Sequence, residues 1–115
     1  MPDQPVPTKL VMMIVGDTDA DDLLAALTQH HFSATKIGST GGFLRRGSVT
    51  IFSGVEESQV DAVIAVVNEI CPVRMEMVPI ETSPFVDETG YSKPIEVRTG
   101  GAIFFVLNVD RFQRI

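Results

Sequence analysis

Residues Thr35 to Ser48 (TKIGSTGGFLRRGS) hold the densest chemistry in the chain. The adjacent Gly41 and Gly42 allow positive φ, so consecutive amides there can form a concave anion-binding nest. Lys36, Arg45 and Arg46 are three of only nine basic side chains in the protein. Phe43 and Leu44 sit at the centre, where an exposed apolar pair is normally disfavoured. Amide donors, cations and an apolar wedge together suit a ligand that carries phosphates and a flat base. The same residues also fit an ordinary hairpin loop whose Phe43 and Leu44 cap the core while the arginines stay solvated. The stretch is neither GxxxxGK[ST] nor GxGxxG, so the two common nucleotide fingerprints do not apply.

Elsewhere, chemistry is sparse. Cys71 closes an apolar helical pattern just before Pro72 and reads as a buried structural thiol. His30 and His31 are neighbours on a helix and point in different directions, so they cannot clasp one metal. Their place near a helix C-terminus is explained by the helix dipole. There is no CxxC or HxxxH spacing to suggest a metal site. The acidic run Asp17, Asp19, Asp21, Asp22 reads as a helix start with a solvated face. No nucleophile, base and orienting group stand out as a catalytic set. The expectation is a binding protein rather than an enzyme, with no catalytic residue and no metal.

The elements that must position the glycine loop follow from hydrophobic periodicity. Leu10 to Val15 (LVMMIV) is a short apolar run between turn residues and reads as a strand buried on both faces or nearly so. Thr18 and Asp21 then resemble a helix start, and Leu23, Leu24 and Leu27 carry a helix over Asp19 to His31. Phe32 to Ser39 is assigned as a second strand and Val49 to Val55 as a third. Glu56, Glu57 and Ser58 open a second helix whose apolar face is Val60, Val63, Ile64, Val67 and Ile70, stopped by Pro72. Val73 to Ile80 reads as a fourth strand, frayed by Pro79. Glu81 to Pro94 is a long polar loop, Ile95 to Val97 a short strand, and Ala102 to Val109 (AIFFVLNV) the most hydrophobic strand candidate. This order predicts an α+β fold, a ferredoxin-like βαββαβ sandwich with a further strand or hairpin.

The bulk numbers agree with one packed domain. The chain has 115 residues, 44% hydrophobic and 21% charged. Residues 1–8 read as a flexible lead-in and 9–115 as the single domain. With 15 acidic against 9 basic residues and a net charge of −6, a broad surface for a nucleic acid polymer is disfavoured. The opening MPDQPVPT lacks the apolar run of a signal peptide or anchor, and the lone Cys71 suits a reducing compartment. The expected location is cytoplasmic, with no membrane partner.

The run Phe32–Gly47 (FSATKIGSTGGFLRRG) resembles the signature of the cyclic-di-AMP receptor family, the PII-like signalling proteins also called PstA or DarA. Ser53-Gly54-Val55, Gly100-Gly101-Ala102, the run FFVLNVDRF (Phe104–Phe112) and the opening KLVMMIV resemble the family too. The likeness extends from Lys9 to the end of the chain, with TKxxxTGGFLR its most specific part. It implies a PII-like homotrimer with cyclic-di-AMP bound at each subunit interface as the ligand, and no cofactor. The loop after the second strand and the long loop would flank the ligand and rearrange on binding, signalling to an unidentified downstream protein.

By the same resemblance, Thr35 would hydrogen-bond the ligand. Gly42, Phe43 and Leu44 would supply amides and an apolar cover for an adenine, with Lys36 and Arg45 as cations. Gly54 would permit close approach of the base, and Phe105 would add aromatic packing. Ser33 stands where family members carry Arg, and Ser48 where they carry Asn; Ser48 keeps one hydrogen bond in place of an amide's two. The alternatives are a trimeric regulator that binds ADP or ATP, and a ligand-free protein-docking scaffold.

Overall fold

The computed structural model describes residues 6–38, 47–78 and 95–115. Its elements are β1 (Lys9–Gly16), α1 (Asp17–Gln29), β2 (Thr35–Ile37), β3 (Ser48–Val55), a 3₁₀ turn (Glu57–Gln59), α2 (Val60–Ile70), β4 (Arg74–Val78), β5 (Ile95–Thr99) and β6 (Ala102–Asn108). Four strands form an antiparallel sheet in the order β2-β3-β1-β6. The expected ferredoxin-like sandwich of strands and two helices is therefore present.

Period-two alternation decides which face of the sheet is covered. Val11, Met13 and Val15 of β1 are buried, as are Val49, Ile51 and Val55 of β3. The register sets Met13 beside Ile51 on one side and Phe104 on the other. These side chains meet Ala20, Leu23 and Leu27 of α1 and Val63, Val66 and Val67 of α2 in one core. The opposite face of the sheet carries Leu10, Met12, Ile14, Phe52 and Phe105 and has no helix over it among the described residues. Ser53, on the core face, is fully buried but satisfied: its hydroxyl donates to the Ser33 carbonyl at 2.5 Å.

Helix α1 begins two residues before the start expected at Asp19. Its first amide, on Asp17, donates to the Gly47 carbonyl at 2.7 Å, so the start of β3 caps the helix in place of a side chain. The C-terminus is also earlier than expected. His31 adopts φ 64°, the His31 amide donates to Thr28 and the Phe32 amide donates to Leu27. That is the paired bonding of a Schellman ending, with histidine where glycine is usual. It delivers Phe32 onto the core and leaves β2 only three residues, shorter than the Phe32–Ser39 strand expected.

The strand expected as the fourth of the sandwich is placed differently. β4 does not join the main sheet; it pairs with β5 in a separate two-stranded ribbon, and β6 takes the open edge of β1. The physical reason lies in the side chains. β6 runs seven residues in register with β1 and sets Ala102 and Phe104 against the core. β4 alternates Met75 and Met77, both largely exposed, with Arg74 and Glu76, and has no face suited to the core. The long loop expected at Glu81–Pro94 lies outside the described residues.

The ribbon leaves the body through a crowded joint. Gly100 and Gly101 have φ of 81° and 78°, and a Cβ on Gly100 would stand 2.0 Å from the Pro72 carbonyl oxygen. The Gly101 amide donates to the Cys71 carbonyl at 2.8 Å. Gly100→Ala is therefore expected to cost about 2–4 kcal/mol, read as a lower urea midpoint; an unchanged midpoint would refute the joint. Cys71 itself is buried at this joint. Burial, helped by the nearby Asp19 carboxylate, pushes its thiol up from the ordinary 9.0 to about 11. The folded chain then holds this proton more tightly than the unfolded one, so the contribution is full below about pH 9 and is lost as pH rises to about 11. Cys71→Ala should flatten that part of the alkaline decline in stability.

Candidate functional site

Among the described residues two hollows lie near the ends of β3, the smaller on the helix-free face and the larger at the end of the sheet, where Thr18 and Asp19 of α1 and the ribbon joint also line it. The first encloses about 410 Å³ and is walled by Leu10 on β1, Thr35 on β2, Phe52 and Gly54 on β3, Pro7, and the tail residues Phe112 and Arg114. Pairing explains its composition: Thr35 lies opposite Phe52, and Gly54 opposite Leu10. Strand alternation therefore turns these four side-chain positions to one face. The Arg114 guanidinium stands 5.9 Å over the Phe112 ring, within cation–π range. Ser33 completes the rim, its hydroxyl donating to the Gly54 carbonyl at 3.4 Å.

The second hollow encloses about 630 Å³ at the far end of β1 and β3. Ile14, Gly16, Thr18 and Ser48 line one side of it, and Arg98, Gly100 and Ile103 the other. Among the described residues the two hollows share no lining residue. Ser48 and Gly54 are six positions apart on one strand, roughly 20 Å at 3.3 Å per residue.

The residues expected to bind ligand are thus dispersed. Thr35 and Gly54 come together in the smaller hollow, and Ser48 lines the larger one. Phe105 lies on the same helix-free face, 47% exposed and paired with Met12 on β1. Lys36 points to the opposite face, where its ammonium meets Asp21 of α1 at 3.4 Å. Gly42, Phe43, Leu44 and Arg45 lie outside the described residues. Leu10, Phe52, Phe112 and Arg114 were not anticipated. Phe52 could have been found by stepping two residues back from Gly54 along a strand. Phe112 closes the FFVLNVDRF run, but only the pairing of β6 with β1 brings it and Arg114 to this hollow.

The larger hollow also contains the joint of the β4–β5 ribbon. Asp19, 7% exposed in the first turn of α1, receives both terminal nitrogens of Arg74, at 2.9 and 3.4 Å. The Arg74 Nε donates to Glu76 at 3.0 Å, and its Nη1 also reaches the Pro72 carbonyl at 3.2 Å. This fork geometry holds the guanidinium charged, raising its pKa, chiefly through Asp19. One arginine therefore ties the base of the ribbon to the body, beside the wall that carries Thr18 and Ser48.

A family model described as cyclic-di-AMP receptor matches residues 8–115, nearly the whole chain. Among solved structures, the chain is similar to a functionally unknown protein from Pediococcus pentosaceus. The two are 35% identical with a TM-score of 0.74, over 96% of this chain and 100% of that one.

The Asp19–Arg74 tie generates a local prediction. Asp19→Asn should speed amide exchange in β4 and β5 while leaving β1 and β3 protected. Equal protection of the ribbon in both proteins would show that the tie does not hold it.

Proposed function

The chain belongs to the cyclic-di-AMP receptor family, and from that premise we propose that it is a signalling receptor whose cyclic-di-AMP sites are assembled between protomers of a trimer. Membership over residues 8–115 carries the choice of ligand. The distribution of the site residues supports the shared site. Thr35 of β2 and Gly54 of β3 stand in one hollow and Ser48, at the other end of β3, in another, with no lining residue in common among the described residues. A single compact ligand can use both ends if one protomer offers the Thr35 end and its neighbour the Ser48 end.

The helix-free face supports the same assembly. Ile103, Phe105 and Leu107 of β6 are exposed there, Ile103 by 57%. At roughly 25 cal/mol per Å² of apolar surface removed from water, covering such a face favours association. A protein of this length gains from association, because small domains bury a limited share of their surface alone.

Within this reading the ligand's bases pack on apolar surface, offered by Leu10, Phe52 and Phe112 at one end. Its two phosphates take hydrogen bonds from Thr35 and Ser48 and positive charge from Arg114, Arg45 or Arg46. The ribbon beside the larger hollow is the element through which occupancy would reach a protein partner. Arg74 and the Gly100–Gly101 joint connect it directly to the wall of that hollow. Receptor rather than enzyme is the reading that family membership favours.

A thermal-shift panel of cyclic-di-AMP, cyclic-di-GMP, ATP, ADP and AMP tests the proposal. At roughly 100 times Kd, a ligand that binds only the folded form adds about 2.7 kcal/mol, which is several degrees for a domain of this size. A rise confined to cyclic-di-AMP is expected, together with a trimer mass by light scattering. A rise with ATP or ADP alone would make it a linear-nucleotide regulator, and a flat panel would make it a docking scaffold; either overturns the proposal.

A further inference from the structure

One wall of the smaller hollow is built from the segment that precedes β1. Thr8 is fastened there on three sides. Its amide donates to the Val55 carbonyl at 2.9 Å, its carbonyl accepts from the Val109 amide at 3.0 Å, and its hydroxyl accepts from the Glu57 amide at 3.1 Å. Three bonds to three separate parts of the chain leave the preceding residue little freedom. That residue is Pro7, whose own φ is held near −65° by its ring. The ring lies directly on Gly54: a Cβ built there would meet the Pro7 Cβ at 3.1 Å and its Cγ at 3.4 Å. The close approach that glycine permits at position 54 is thus taken up within the chain by Pro7.

The ring narrows the hollow without filling it. About 410 Å³ stays open beside Pro7, bounded by Leu10, Phe52 and Phe112, and small-molecule pockets begin near roughly 300 Å³. The Pro7 ring on one side and Phe52 and Phe112 nearby define a slot suited to a flat base, with Thr35 and Arg114 at its rim for a phosphate. We propose that Pro7 is a ligand-contacting wall of the base-binding end of the site, so that the segment before β1 helps set affinity for the nucleotide. This rests on the reading of the hollow as a cyclic-di-AMP site. It adds a contact from outside the glycine loop and the strands.

The test is isothermal titration of cyclic-di-AMP into the full-length wild type and the variants Pro7→Gly and Pro7→Val. Apolar cover of a base implies that Pro7→Gly weakens binding by about fivefold or more. Pro7→Val, which keeps a branched apolar group of similar size, should weaken it by about twofold at most. The melting temperatures without ligand should stay close together, which separates loss of contact from loss of fold. Unchanged or tighter binding by Pro7→Gly overturns the inference, the tighter case making Pro7 an obstruction. Equal losses in Pro7→Gly and Pro7→Val also overturn it, since the ring's bulk would then be irrelevant. A folded wild type that binds no cyclic dinucleotide overturns the ligand reading itself and this inference with it; a wild type that binds normally while Pro7→Gly matches it overturns this inference alone.

Discussion

β1 pairs along its whole length with β3 on one side and over Lys9–Val15 with β6 on the other, and every other feature of the described structure is referred to that double register. Side chains alternate faces along a strand, so a slip of one residue in either pairing would send Val11, Met13 and Val15 to the uncovered face. Their burial against α1 and α2 is what forbids the slip. The same constraint fixes the other face. Leu10, Met12 and Ile14 must point away from the helices, and Phe52, Gly54 and Phe105 must point with them. The candidate site is thus a by-product of core packing: the residues left over on the helix-free face form its floor.

Two attachments of different character hang on this sheet. The segment around Thr8 is a continuation of it, bonded on both sides and closing one end of the smaller hollow. The β4–β5 ribbon is a departure from it, made possible by two glycines at positive φ and by the near contact of Gly100 with Pro72. The first has no slack, while the second is held by a side-chain fork between Arg74 and Asp19. An ion pair of that kind is geometrically specific yet breakable, so the ribbon is the part of the described structure best suited to move relative to the core. Its two exposed methionines, Met77 by 61%, add polarizable surface that can adapt to a partner.

Family membership names the ligand class, and the fold alone would not, since this sandwich hosts many unrelated functions. The geometry contributes something the family match does not: Thr35 and Gly54 at one end, Ser48 at the other, and Lys36 turned away to Asp21. Closeness in sequence groups Lys36 with Arg45 and Arg46 as cations, but the fold separates it from the candidate site. Thr35 and Lys36 are adjacent on β2, so a strand sends them to opposite faces.

Local pattern was enough to place most elements, because alternation and helical twist are properties of neighbouring residues, but it overstated burial: LVMMIV buries one face rather than two, α2 buries Val66 in place of Ile64, and β6 sets only Ala102 and Phe104 against the core. The glycine loop motif and its likeness to a receptor family were legible for the same reason, being a contiguous string. What local pattern could not decide was which strand would occupy the open edge of β1. β4 and β6 both read as strands, and only β6 offered a face that the core could accept. Nor could it bring Pro7, Gly54, Phe112 and Arg114 together. Those four lie at the two ends and the middle of the chain, and they meet only because β3 and β6 both pair with β1, a consequence of long-range register that no window of neighbouring residues contains.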